Sequence, residues 1–118
     1  MKPLLTRLGA GVGLVAIAAV TSHVHHNGGR RLARDRAAVE ATAHRIGYDE
    51  IADAWARTKL GDTAALERIR AGIGVRPLAA HEAAGAIVLV FASHKASRDV
   101  CLDLIAYREG NTVRTRRC

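Results

Sequence analysis

Ala86-Ile87-Val88-Leu89-Val90-Phe91-Ala92 is the most hydrophobic stretch of the chain beyond its amino-terminal segment, and its reading decides the fold. The run is continuously apolar, carries β-branched residues and is about seven residues long, which suits a strand buried on both faces. The rest of the chain must therefore supply layers to cover it. Downstream, Ser93 or Ser97 offers an N-cap for a helix from Arg98 to about Tyr107, with Val100, Cys101 and Leu104 on one side. Glu109-Gly110-Asn111 then makes a turn. Thr112-Val113-Arg114-Thr115-Arg116-Arg117 has the alternation and β-branching of an edge strand, whose arginines discourage edge-to-edge pairing.

Upstream of the buried strand the periodicity is helical. From Arg30 to Ile46, Leu32, Val39 and Ile46 recur every seven residues among helix-favouring alanines, and Gly47 supplies the stop. From Tyr48 to about Arg57, the residues Tyr48, Ile51, Ala52 and Trp55 form one apolar face, with Asp49, Glu50 and Asp53 opposite. Gly61-Asp62 opens a third helix carrying Leu66 and Ile69, and Gly72 closes it. Pro77 forces Ile73 to Leu78 into a short extended turn, a candidate third strand, and Ala79 to Gly85 reads as a linker. The predicted fold is α+β: an N-terminal apolar segment and a long helix packed on a small antiparallel sheet, with short helices beside it.

The amino terminus speaks for the compartment. Lys2 and Arg7 precede an uncharged run from Leu8 to Val24 whose strongly apolar part ends at Val20, shorter than the roughly 20 residues that span a bilayer comfortably. Residues 1–26 are thus an export or membrane segment, and residues 30–118 a single small α+β domain. Three fates fit the segment: removal by signal peptidase near Ala18 or Ser22, cleavage between Gly9 and Ala10 on the cytoplasmic side, or retention as an anchor. His23, His25 and His26 lead into a flexible Asn27-Gly28-Gly29 joint; they have no Cys or carboxylate nearby to complete a tetrahedral metal shell, so no cofactor or metal is expected.

The domain is small and its core poor in rings, with aromatics at 3% of the 118-residue chain. Ala, Ile, Leu and Val must fill it, and an alanine-rich filling buries little area per residue. The two cysteines, Cys101 and Cys118, in an exported chain favour one disulfide, which typically stabilises by about 2 to 4 kcal/mol. Net charge is +7, and +5 once Lys2 and Arg7 depart with an acid-free leader. That balance favours acidic partners such as nucleic acid or anionic lipid. Arg30, Arg31, Arg34 and Arg36 at the start of the long helix oppose its macrodipole, so their use lies elsewhere, and a juxtamembrane band against lipid headgroups fits. Arg114, Arg116 and Arg117, beside the second cysteine, are a further candidate basic binding surface.

Catalytic constellations are not evident. Asp49 and Asp53 read as solvated acids on a helix face. Ser93, His94 and Asp99 are neighbours in sequence, which does not make a triad, and phosphate-loop, Cys-x-x-Cys and His-Glu-x-x-His patterns do not occur. The chain is expected not to be an enzyme and to have no small-molecule substrate.

The order of Leu66-Glu67-Arg68-Ile69-Arg70-Ala71-Gly72-Ile73, Pro77-Leu78, Gly85-Ala86-Ile87-Val88-Leu89-Val90-Phe91 and Ser97-Arg98-Asp99-Val100-Cys101-Leu102-Asp103-Leu104 resembles the carboxy-terminal half of type IVb pilins. The resemblance covers about Leu66 to Leu104, together with Cys118 and the leader-then-long-helix layout. It implies cleavage after Gly9 to expose Ala10, a Cys101–Cys118 pairing, insertion in the inner membrane and assembly with homologous subunits or their machinery into a surface filament or secretion apparatus. Leu14 stands where that family carries a glutamate, and the region between the cysteines is short, so the resemblance implies a minor pilin or pseudopilin. The competing expectation is a small secreted or periplasmic basic domain, held by a disulfide, that binds an acidic partner.

Overall fold

The computed structural model describes residues 29–118, and the expected segment 1–26, with Gly9, Ala10 and the histidines at 23, 25 and 26, lies outside the described residues. Helix α1 occupies residues 29–45, and the heptad reading holds: Val39 and Ile46 are buried, and Leu32 packs against the same core. Helix α2, Tyr48–Lys59, starts directly after Gly47 and buries Ile51 and Ala54, with Tyr48, Ala52 and Trp55 packed around them. Its first turn carries Asp49 and Glu50, its last Arg57 and Lys59, the arrangement the helix dipole favours. Helix α3, Ala64–Ile73, buries Leu66 and Ile73. Asp62 still serves its start, accepting a 3.2 Å bond from the Ala64 N–H. Its end lies two residues later than expected, since Gly72 stays helical and Gly74 takes the left-handed φ of 74° that stops the helix.

The rest is a four-stranded antiparallel meander in the order β1-β2-β3-β4, formed by Arg76–Ala83, Ala86–Lys95, Arg98–Tyr107 and Gly110–Arg117. The buried strand is where the apolar run places it, extended to Lys95. Two expectations are corrected. The stretch from Arg98 to Tyr107 is a strand and not a helix, so neither Ser93 nor Ser97 is a helix cap. Val100, Cys101 and Leu104 fit a helical face, yet the stretch also alternates: Leu102, Leu104 and Ala106 join the helix-covered core, while Cys101, Asp103 and Ile105 face the other way. Pairing with β2 on one side and β4 on the other satisfies the backbone over the full length of β3, a gain that no local signal announces. Likewise Ala79 to Gly85 is not a linker but most of β1 and its turn. Pro77 is tolerated because β1 is an edge strand, and the register shifts beside it.

The helices cover one face of the sheet. Val39, Ile46, Ile51 and Leu66 meet Ile87, Leu89 and Phe91 of β2 and Leu102, Leu104 and Ala106 of β3 in one buried cluster. The opposite face has a smaller apolar group of Val88, Val90 and Cys101, flanked by Ile105. Both hairpins around β2 close in two residues, and each puts an alanine at positive φ: Ala84 at 49°, followed by Gly85 at 79°, and Ala96 at 55°.

Candidate functional site

Chemistry-bearing side chains concentrate on the β3–β4 ladder and where α1 meets it. Asp103 lies in the middle of β3, fully buried, directly opposite Arg114 of β4. Its Oδ2 accepts from Arg114 Nη2 at 2.7 Å and Nε at 3.1 Å, and from Arg116 Nε at 2.7 Å. Strand alternation explains the convergence: Arg114 and Arg116 project to the face that Asp103 shares, one pleat apart. Burial pushes the Asp103 carboxyl up, and the hydrogen bonds and charges of Arg116 and Arg114 outweigh it, holding the group below the usual carboxylate range. The same contact raises Arg116. Asp103 Oδ1 is buried without a partner among the described residues.

Cys101 and Cys118 flank this cluster on the same face and are joined, with their Cα atoms 5.0 Å apart. Cys101 pairs across the ladder with Arg116, so the extension of β4 by two residues brings Cys118 beside it. The cysteine pair expected from the sequence is thus in bonding position, within a strand rather than at the start of a helix. The three arginines of the candidate basic surface divide. Arg114 and Arg116 are engaged by Asp103 while keeping 58% and 38% of their side chains exposed, whereas Arg117 pairs with Val100 and belongs to the other face of the ladder.

Polar contacts at three places dock α1 onto the sheet. The buried Ser93 hydroxyl donates to Asp35 Oδ2 at 2.7 Å, and Arg36 donates to Thr115 as well as to Glu40. Asn111 Nδ2 donates to the carbonyls of Ala43 and Ile46, at 3.1 and 2.8 Å, so a strand side chain satisfies the end of α1. At the sheet's first edge, Trp55 Nε1 and Lys59 both donate to Glu82. His94 Nδ1 lies 3.1 Å from Asp99, whereas Ser93, its neighbour in β2, points to the opposite face and bonds Asp35. Asp53, paired with Arg57 at 3.2 Å, is exposed, as is Asp49. Among the described residues no cluster of His, Cys, Asp and Glu has the spacing to hold a metal, and no helix is long and apolar enough to cross a membrane.

Asp103 is the residue that sequence reading missed. Its signal was present, an acid inside an apolar run with arginines 11 and 13 residues on, but it becomes informative only once both segments are read as paired strands. Asp35, Ser93 and Asn111 carried no local signal. No protein family matches the chain, and no curated protein or solved structure is significantly similar to it.

Proposed function

We propose that the chain is a pilin-like structural subunit, of the minor pilin or pseudopilin kind, exported through the inner membrane to serve a bacterial surface filament or secretion apparatus. One observation carries the reading: a helix that begins a few residues after an uncharged apolar run packs along a single seam onto an antiparallel sheet whose last strand is stapled by Cys101 and Cys118. A subunit of this design places its apolar helix in lipid before assembly and its head outside, and it needs packing surfaces rather than reacting groups. The reading therefore assigns no catalytic residue and no cofactor. Its partners are subunits of the same kind and the machinery that assembles them.

The competing reading, a soluble basic domain that binds an acidic partner, draws on the exposed guanidinium groups of Arg114 and Arg116. The mass of the mature chain separates the two. Expressed in a host with a prepilin peptidase, a subunit begins at Ala10; a start at Ala19 or His23 instead assigns ordinary signal-peptide removal and the soluble reading, and an intact Met1 assigns a simple anchored domain.

A further inference from the structure

We propose that the pole of the head at which α1 begins is a docking surface for an anionic membrane, built from three segments distant in sequence. The first turns of α1, the β2–β3 hairpin tip and the end of β4 meet there, tied by the Ser93–Asp35 bond and the Arg36–Thr115 contact. Arg30, Arg36 and Lys95 line one open cleft of about 480 Å³ over Leu32 and Ala33. Arg98 and Arg117 line a second, of about 510 Å³, together with Asp99 and Cys118.

The carboxylates at this pole are already engaged. Asp35 is held by Ser93 with Arg31 3.8 Å away, Glu40 by Arg36 at 2.8 Å, and exposed Asp99 lies 3.1 Å from His94, a contact that offsets its charge only when the imidazole is protonated. Among the described residues Arg30, Lys95, Arg98 and Arg117 form no ion pair, and residues 1–28 contain no Asp or Glu that would supply one. A surplus of cations around an aliphatic floor suits the boundary between phosphate headgroups and acyl chains. The uncharged run Leu8 to Val24 precedes in sequence the helix start at this pole, so a membrane that holds the run would have these cations close to it along the chain. Nucleic acid is disfavoured because residues 29–47, 92–106 and 108–118 contribute no Phe, Tyr or Trp for bases to stack on. The orientation rests on the membrane reading of the apolar run; the anionic preference does not.

The test uses the full chain with vesicles of phosphatidylcholine alone or mixed with phosphatidylglycerol, and reads amide exchange at the hairpin tip, Lys95 to Arg98. Exchange there should slow severalfold with the anionic vesicles only. The protection should collapse at high salt, where screening shortens the reach of each charge. It should also be lost in a Lys95→Glu, Arg98→Glu variant and kept in Arg68→Glu, at the far end of the head. Equal exchange on both vesicles, with the chain bound to each, overturns the docking surface and leaves the proposed function standing. Failure to bind neutral vesicles, with the anionic protection intact, supports the surface and sinks the membrane-segment reading instead. Protection of the tip by a DNA duplex but by neither vesicle assigns the pole to nucleic acid and overturns the proposal.

Discussion

Asp103 is fully buried, and it is held charged by two arginines whose side chains are partly exposed. Because its folded pKa lies below the unfolded value, the ion pair stabilises the domain fully above the unfolded value and progressively less as pH falls through the folded one. The window opens near pH 4, the ordinary aspartate range, and extends downward. Asp103→Asn should cost about 2 kcal/mol at neutral pH, the order of a hydrogen bond to a charged group, trimmed by the exposure of both guanidinium groups. Denaturant melts of both proteins from pH 6 to pH 2 check this: the gap should close on acidification, and a constant gap would exclude the ionised pair as its source. The arginine partners were legible as an alternating pattern. Their acid was not, because an aspartate at that position satisfies a helix and a strand equally well until its neighbours in space are known.

At the level of the elements, the β3–β4 hairpin and its staple decide how the carboxy terminus is held. The disulfide closes 17 residues of separation across strands that are already hydrogen-bonded neighbours. Chain-entropy reasoning puts its contribution at about 3 kcal/mol. Replacing both cysteines with serine should lower the melting midpoint while leaving the strand signal in circular dichroism, and reductant should shift the natural protein by the same amount. Alkylation of both thiols in nonreduced protein would contradict the staple outright. The helices were readable because each carries its own evidence: the heptad of Leu32, Val39 and Ile46, the acids that open α2, and a glycine near the end of α3. The hairpins were not. Ala84-Gly85 and Ala96-Ser97 lack the Asn-Gly signature, and alanine at positive φ costs about 1 kcal/mol that only the surrounding sheet can offset.

Across the whole molecule, protection should follow the layering. Strands β2 and β3 are central, buried over most of their length and paired on both sides, whereas β1 is an edge strand exposed everywhere except at half-buried Ala80. Native-state amide exchange should therefore be slowest in β2 and β3, at the free energy of global unfolding, and faster in β1, which opens locally. If β1 exchanges as slowly as β2, something covers that edge in solution. The α+β class, the three helices, the buried strand and the terminal edge strand followed from sequence alone, since periodicity, composition and caps are local properties that mark an element wherever it ends up. The conversion of Arg98 to Tyr107 into a central strand, the recruitment of Ala79 to Ala83 into β1, and the meeting of Asp103 with Arg114 and Arg116 were decided only in three dimensions. Each depends on backbone pairing and charge compensation between distant segments, and those energies exist only after the chain has closed on itself.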